Sequence, residues 1–271
     1  MSNIIAVTGK GGVGKTTLAA LIVAGLIRQN RGPVLAVDAD PNSCLDVALG
    51  VKVSATVGGV REEVREIAGK RLTTGIAKQA LLELKIAESL VEGSDFDLIA
   101  MGRPEGPGCY CYANNVLKAT LQEIARNYPY VVLDNEAGLE NVSRRLVTSV
   151  DLLVMVTDPS QRGMATVERL WKLTREMGVQ YRQLAIMVNR TRNGALSPLI
   201  VELLKKTGAE WLLALPEDEE IAALNEQGKS LLEVSSDNPV FEKMQELLRE
   251  PQTLDILARR VKSVTNSTLR T

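Results

Sequence analysis

The chain has 271 residues, of which 45% are hydrophobic and 24% charged, and its formal net charge is -1. These values are typical of a globular protein with one large core, and they exclude a global basic field that would attract nucleic acid. Histidine is absent, which excludes His-based acid–base catalysis and His-activated nucleophiles. Any transition-metal site must therefore use thiolates, carboxylates or ligands from a partner.

The sequence also predicts where the protein works. No apolar run approaches the roughly 20 residues that a membrane-spanning helix needs. Met1–Thr8 enters an apolar strand pattern directly, without the basic region or cleavage site of a signal peptide. Three cysteines do not form a disulfide framework. We expect a cytoplasmic protein with no membrane and no nucleic-acid partner.

Short apolar runs alternate with helical stretches along the chain. The predicted strands are Ile4–Thr8, Val34–Val37, Leu98–Met101, Tyr130–Leu133, Leu152–Thr157, Leu184–Val188 and Trp211–Leu215. The predicted helices are Lys15 to about Asn30, Asn114–Asn127, Met164–Met177 and Pro198–Lys206, with further helices in the more charged segment Val51–Gly93. This pattern predicts an α/β fold with a mostly parallel central sheet and helices on both faces.

A phosphate-binding motif lies between the first predicted strand and the first predicted helix. The segment Gly9–Thr16 satisfies the pattern G-x-x-x-x-G-K-[ST]. Lys15 would place a cation on the β- and γ-phosphates, and the Thr16 hydroxyl can ligate magnesium. The predicted ATP-binding residues here are Gly9, Lys10, Gly11, Gly12, Val13, Gly14, Lys15, Thr16 and Thr17. We expect a single P-loop NTPase domain over residues 1–250, followed by a polar tail over residues 251–271.

Lys10 extends this motif to K-G-G-x-G-K-T-T. With Lys10, Lys15, Thr16 and Thr17 in place, the loop resembles the deviant Walker A class. That class includes MinD, ParA, the nitrogenase iron protein and the arsenite- and tail-anchor-type ATPases. The resemblance implies a slow ATPase that works as a nucleotide-sandwich homodimer, in which Lys10 reaches the partner's phosphates. A group acting in this way can contribute ~10³–10⁵ in rate.

Three aspartates follow predicted strands at the edge where open α/β sheets bind ligands. Asp38 and Asp40 end the second strand, and Asp134 ends the strand Tyr130–Leu133. By resemblance, Asp40 is the switch I aspartate that orients or deprotonates the attacking water, which makes Lys10, Lys15 and Asp40 the expected catalytic residues. Asp38, Asp134 and Thr16 would surround magnesium, and Gly138 would be the switch II glycine. The alternative is that the aspartates only cap helices or form turns.

Two further strand ends complete the predicted nucleotide site. Asn189 and Arg190 follow the strand Leu184–Val188, and Pro216 follows Trp211–Leu215. The family uses an asparagine at the first position to hydrogen-bond the adenine edge, and an amide suits this because it both donates and accepts. Pro216 matches a family loop that covers the base through its backbone.

Cys109 and Cys111 lie in a Gly/Pro-rich segment before a predicted helix. In an extended chain they point to the same side, ~6.6 Å apart, and a bent loop could bring the sulfurs within reach of one metal. One chain supplies two thiolates, and a two-fold dimer supplies the four of a closed site. Such a site suits zinc, nickel(II) or copper(I), while a redox-active pair or two buried small residues remain alternatives. Cys44 is interpreted as a packing residue.

With this cysteine pair the chain resembles the CooC-type nickel-insertion ATPases, which mature carbon monoxide dehydrogenase, and the AcsF-type factors for acetyl-CoA synthase. The phosphate loop, Asp-Ala-Asp-Pro, Cys-Tyr-Cys, Asp-x-x-x-Gly and Asn-Arg occur in the family's order over about residues 1–250. The resemblance implies an ATP-dependent metallochaperone homodimer that holds nickel or zinc through Cys109 and Cys111 and supplies a client nickel enzyme.

Two other functions stay open from the sequence. The first is an iron–sulfur electron donor like the nitrogenase iron protein, although that class takes its cysteines from distant loops. The second is a positioning ATPase of the MinD or ParA kind. MinD-like proteins need an amphipathic membrane helix, and Leu254–Val264 has apolar residues but no aromatic anchor. ParA-like proteins need a basic DNA-binding surface, which the charge balance does not indicate.

Overall fold

The computed structural model describes residues 2–40, 42, 44–69, 78–102, 119–136, 149–192 and 198–249. The strands are β1 Asn3–Gly9, β2 Val34–Asp38, β3 Val91–Glu92, β4 Phe96–Ala100, β5 Tyr130–Asp134, β6 Ser149–Thr157, β7 Gln180–Thr191 and β8 Trp211–Pro216. The helices before β6 are α1 Lys15–Arg28, α2 Leu45–Leu49, α3 Val57–Gly69, α4 Lys78–Glu88 and α5 over residues 119–125. Those after it are α6 Gln161–Glu176, α7 Pro198–Thr207, α8 Glu219–Glu226, a 3₁₀ turn Leu231–Glu233 and α9 Pro239–Leu248.

These strands form one sheet in the order β3-β4-β2-β5-β1-β6-β7-β8. All neighbouring pairs are parallel except β3 with β4, which confirms the predicted α/β fold. From β1 the chain passes β5 to reach β2, whereas from β5 it passes β1 to reach β6. The order therefore reverses around β1 and β5, and ligands bind beyond the carboxyl ends of strands at such a point.

Both faces of the sheet are buried, so its strands are apolar almost throughout. In β2, for example, Val34 and Ala36 join the core that packs against α1 and α9, while Leu35 and Val37 join the core on the other face. Period-2 alternation sends successive side chains to opposite faces, and two buried faces remove the need for polar positions. The burial of most of helix α1 follows from the same arrangement, with Leu18 to Leu26 almost entirely inside.

Several elements differ from the predicted pattern. The helix α1 ends at Arg28, and Asn30 has a left-handed φ of 55° that prevents the helix from continuing. The segment Val51–Gly93 contributes α3 and α4 as predicted, but also the edge strand β3, which at two residues is too short for a periodic pattern. No prediction covered α8 and α9, although side chains of Asp218 and Asn238 cap them in the usual manner. In the described ranges no helix is both long and apolar enough to cross a membrane.

Candidate nucleotide site

The loop between β1 and α1 has the backbone geometry that the motif predicts. Gly12 and Gly14 have left-handed φ values of 78° and 94°, which favour glycine. A Cβ on Gly14 would lie 2.5 Å from Nδ2 of Asn189, and one on Gly9 would lie 2.3 Å from the carbonyl oxygen of Val156. The loop therefore depends on glycine for close approach as well as for dihedral freedom.

The start of α1 is arranged to receive an anion. Gly14 is its N-cap and provides no side-chain cap, and the first turn contains no acidic residue. The first backbone N–H groups of the helix are thus left for a ligand, and the helix dipole adds to their attraction for phosphate. Lys15 is only 8% exposed, with Nζ 3.4 Å from the carbonyl oxygen of Lys10, whereas the Lys10 side chain is exposed.

Asp38 and Asp134 meet at the carboxyl ends of β2 and β5. They are in register with each other, and the neighbouring Ala39 nitrogen donates to the Asp134 carbonyl at 2.9 Å. Asp38 is fully buried and accepts from the backbone nitrogens of Asp40 at 3.0 Å and Leu45 at 2.9 Å. Asp134 is 1% exposed, and neither carboxylate oxygen has a hydrogen-bond partner of good geometry.

This environment shifts the pKa of both carboxyl groups upward. Burial raises the pKa of Asp134 to about 7; the nearby Thr16 hydroxyl and Lys15 offset part of the effect, while Asp38 adds to it. Burial likewise raises the pKa of Asp38 to about 6, against the two backbone hydrogen bonds that it accepts. Two buried carboxylates beside a hydroxyl lack enough positive charge among the described residues, which suits a bound divalent cation. The chemistry of Thr16, Asp38 and Asp134 is compatible with magnesium, and their role as its ligands stays a prediction.

Asp40 and Cys44 lie just beyond this pair. Asp40 is half-buried, and its Oδ1 accepts from the backbone and side-chain nitrogens of Asn42, at 2.9 and 3.1 Å. The turn-forming role considered for Asp40 is thus present, and its catalytic role stays a prediction.

The prediction that Cys44 is a packing residue is wrong. Its side chain is exposed at the N-cap of α2, while Leu45 and Leu49 bury the apolar side of that helix.

A cavity of about 460 Å³ continues from the loop, between α1 and α8. This volume lies within the range of small-molecule sites. Asn189 and Pro216, predicted for the base, and Arg190, predicted for ATP binding, all line it. The other lining residues are Gly14, Thr17, Leu18, Leu21, Glu217, Asp218, Glu219, Ile221, Ala222, Asn225 and Val240. The sequence prediction missed the residues after Pro216, although the capping residue Asp218 was a usable indication of a helix there.

The side chains at the mouth of this cavity hold the loop in shape. Asn189 donates from Nδ2 to the Val13 carbonyl at 2.8 Å and accepts from the Arg190 backbone nitrogen at 3.0 Å. Arg190 has a left-handed φ of 57°, and its Nη1 lies 3.4 Å from the Gly12 carbonyl oxygen. A non-glycine residue held in this region stores strain, and such strain is concentrated at ligand sites.

The predicted metal ligands Cys109 and Cys111, the switch II residue Gly138, and the tail after residue 250 lie outside the described residues. Among the residues that the structure does describe, no group of three His, Cys, Asp or Glu side chains is placed to hold a metal ion. The cysteine site accordingly stays a prediction.

Comparison with known proteins agrees with this site. A family described as an AAA domain matches residues 1–186. An uncharacterized ATP-binding protein of Methanocaldococcus jannaschii is 40% identical over 245 residues, 90% of this chain and 96% of that protein. The carbon monoxide dehydrogenase accessory protein CooC of Rhodospirillum rubrum is 30% identical over 245 residues, 85% of this chain and 90% of that protein.

Solved structures with the same fold include a ParA family ATPase from Chlorobium tepidum. It has a TM-score of 0.66 at 22% identity and covers 90% of this chain and 96% of its own. The cell division protein MinD of Aquifex aeolicus has a TM-score of 0.62 at 21% identity, covering 92% and 98%. With its phosphate loop, its paired carboxylates and these relatives, the chain belongs to the AAA-domain family of P-loop ATPases, and its homologues include proteins of the MinD type.

Proposed function

We propose that this protein is an ATP-hydrolysing homodimeric metallochaperone, which holds nickel or zinc between two Cys109–Cys111 pairs. Its client would be carbon monoxide dehydrogenase or acetyl-CoA synthase. The observation that carries the proposal is the 30% identity to an accessory protein of carbon monoxide dehydrogenase, over 85% of this chain. The Cys-Tyr-Cys segment supports it, since thiolates prefer nickel, zinc and copper(I).

The nucleotide half of the function follows from the described site. The free N–H groups at the start of α1 and the buried Lys15 bind the phosphates. Thr16, Asp38 and Asp134 are suited to hold magnesium, which when bound neutralises charge that develops on the β- and γ-phosphate oxygens. Asp40 orients the attacking water. The exposed Lys10 would serve the second chain of the dimer, because its side chain is open to solvent while its carbonyl oxygen contacts Lys15.

The cysteine segment begins beside this magnesium site. The Met101 backbone nitrogen donates to the Asp38 carbonyl at 2.8 Å, and the Met101 carbonyl accepts from Gly58 at the start of α3 at 2.9 Å. Gly102 comes next, against the Thr56 side chain, and Cys109 is seven residues further along the chain. A change of ligands at Asp38 therefore has a short covalent and hydrogen-bonded route to Gly102, the start of the segment that carries the cysteines. That supports coupling between hydrolysis and metal release.

Nickel titration with and without nucleotide tests the proposal. Wild-type protein with a non-hydrolysable ATP analogue is expected to sediment as a dimer with one nickel per two chains. The Cys109→Ser/Cys111→Ser variant should keep ATP binding and lose the tight nickel site. Cys44→Ser is the matched control, because this cysteine is exposed and distant in sequence from the pair, and it should bind nickel like the wild type. Tight binding of one nickel per two chains of the double variant would contradict the proposal.

Two other results would replace it with one of the alternatives. A brown, oxygen-sensitive protein with a cluster absorption band would favour an iron–sulfur electron donor. ATP-dependent cosedimentation with liposomes or DNA would favour a positioning ATPase, in keeping with the 26% identity to the septum site-determining protein MinD of Thermotoga maritima.

A further inference from the structure

Asn238 joins the N-termini of two helices that are far apart in the chain. It is 4% exposed. Its Oδ1 accepts from the backbone nitrogens of Val240 and Phe241, both at 3.0 Å, and so caps α9. Its Nδ2 donates to Oδ1 of Asp218 and to Oε2 of Glu220, both at 2.9 Å. Both donor positions of the amide are therefore committed to the carboxylates at the start of α8.

One of those carboxylates, Asp218, belongs to the wall of the nucleotide cavity. Residues 216–219, which we name the pocket wall, line the cavity directly, whereas Asn238 and Glu220 stand behind it. Asp218 also caps α8 by accepting from the Ile221 nitrogen at 2.9 Å. The second oxygen of Glu220 accepts from the backbone nitrogen of Ser235 at 2.7 Å and from its hydroxyl at 2.6 Å. Two side chains of the α8 N-terminus are thus tied to the segment before α9.

That segment is fixed in turn to the helix that carries the phosphate loop. Arg28, at the end of α1, donates from Nη2 to the carbonyls of Leu232 and Val234. Its guanidinium also lies over the Phe241 ring, 4.4 Å from the centroid. Since α1 starts at the loop and is buried along most of its length, it is a rigid reference for the wall on the opposite side of the cavity.

We infer that Asn238 is a positioning residue for nucleotide binding, which holds the pocket wall against the base and ribose while making no contact with them. This inference rests on the nucleotide site of the proposed function. Its chemical basis is the amide itself, since it offers two donors to two carboxylates that would otherwise repel each other. An aspartate here would still cap α9 but would face Asp218 and Glu220 as a third negative charge.

The test compares a ligand that has a base with one that has none. With Mg²⁺ present, Asn238→Asp should bind the analogue AMP-PNP about tenfold more weakly, as the loss of two charge-assisted hydrogen bonds allows. It should bind inorganic tripolyphosphate, which reaches only the phosphate loop, like the wild type. In steady-state hydrolysis, KM for ATP should rise with kcat unchanged. Asn238→Ser keeps a capping oxygen without adding charge and provides a second variant, should the first fold poorly.

Exchanging the amide and the carboxylate between positions 238 and 220 tests whether the lost AMP-PNP affinity can be restored. In Asn238→Asp/Glu220→Gln the new amide can donate to the new carboxylate and still accept from Ser235, so AMP-PNP affinity should recover in part, while Asp218 still faces a carboxylate. Asn30→Asp makes the same chemical change beyond the far end of α1 and should leave the affinities for AMP-PNP and tripolyphosphate unchanged. Equal losses for AMP-PNP and tripolyphosphate, or wild-type AMP-PNP affinity in both Asn238 variants, would overturn the inference alone. Failure of wild-type protein to bind AMP-PNP would overturn the nucleotide site as well.

Discussion

Asp38 and Asp134 stand side by side in register at the ends of two neighbouring strands, buried, with a pKa raised in each. Burial opposes the charged form of both groups, so two ionised carboxylates destabilise the ligand-free protein. A cation bound between them would offset that cost. If the pair holds magnesium as proposed, the stability of the fold should depend on the occupancy of the nucleotide site.

Removing the Asp134 charge should stabilise the ligand-free protein and slow ATP hydrolysis. The folded-state pKa of Asp134 is raised from 3.8 to about 7. Its ionisation therefore lowers the free energy of unfolding progressively as the pH rises, with no effect below about pH 4 and the full effect above about pH 7. The free energy of unfolding of Asp134→Asn should thus exceed that of the wild type by on the order of 1–3 kcal/mol at pH 8 and by little at pH 4. Thermal unfolding across this pH range measures the gain, and ATP turnover should fall by about 100-fold or more.

The exposed Asp237 provides the control for that comparison, since Asp237→Asn removes one charge on the surface. Its stability should follow that of the wild type within about 0.5 kcal/mol at every pH. If Asp134→Asn behaved in the same way, the carboxylate pair would not be strained in the ligand-free fold.

Two glycines of the phosphate loop should differ in what an added methyl group costs. Both have left-handed φ, so alanine strains the backbone by roughly 1 kcal/mol at either position. Gly12→Ala meets no atom within 4 Å, whereas a Cβ on Gly14 would lie 2.5 Å from the Asn189 amide, which then loses its bond to the Val13 carbonyl. Gly14→Ala should therefore unfold at a lower denaturant concentration than Gly12→Ala. Equal midpoints would contradict the contact.

The two loop lysines should separate binding from turnover. Lys15→Ala removes the buried cation, and the affinity for AMP-PNP should fall by about 100-fold. Lys10→Ala removes an exposed side chain, so AMP-PNP affinity should stay within about twofold while kcat drops by ~10³ or more. Specific activity of the wild type should rise with protein concentration. If kcat of Lys10→Ala equalled that of the wild type, the proposal that two chains share one catalytic site would be contradicted.

The start of the cysteine segment offers a test of coupling. Gly102 has a left-handed φ of 62°, and a Cβ there would lie 2.6 Å from Cβ of Thr56 at the start of α3. Gly102→Ala should therefore weaken nucleotide-dependent nickel binding while AMP-PNP affinity remains. Gly178→Ala, at φ 68° with no atom within 4 Å, introduces the strain without the collision and should bind nickel normally. Identical nickel isotherms for the two variants would contradict the coupling.

Local pattern was enough for much of this protein. The phosphate loop, the strands and the aspartates at their ends are predictable because glycine geometry, alternation and chain direction act over a few residues. The predicted strands appear with shifts of a few residues at their ends, as hydrogen bonding extends β7 to Thr191 beyond its apolar run. By the same local logic Cys44 was expected to pack, and it is exposed because Leu45, one residue later, faces the core.

Contacts between residues that are distant along the chain depend on the folded structure. The strand order brings Asp38 against Asp134, and a raised pKa requires burial that no local pattern specifies. Asn189 reaches Val13 across the sheet edge, and Asn238 ties α9 to α8. The nucleotide loop and the strand ends around it are predictable from the sequence, since those are properties of short segments. The shape of the cavity depends on packing between segments, and it becomes visible only when the chain is folded.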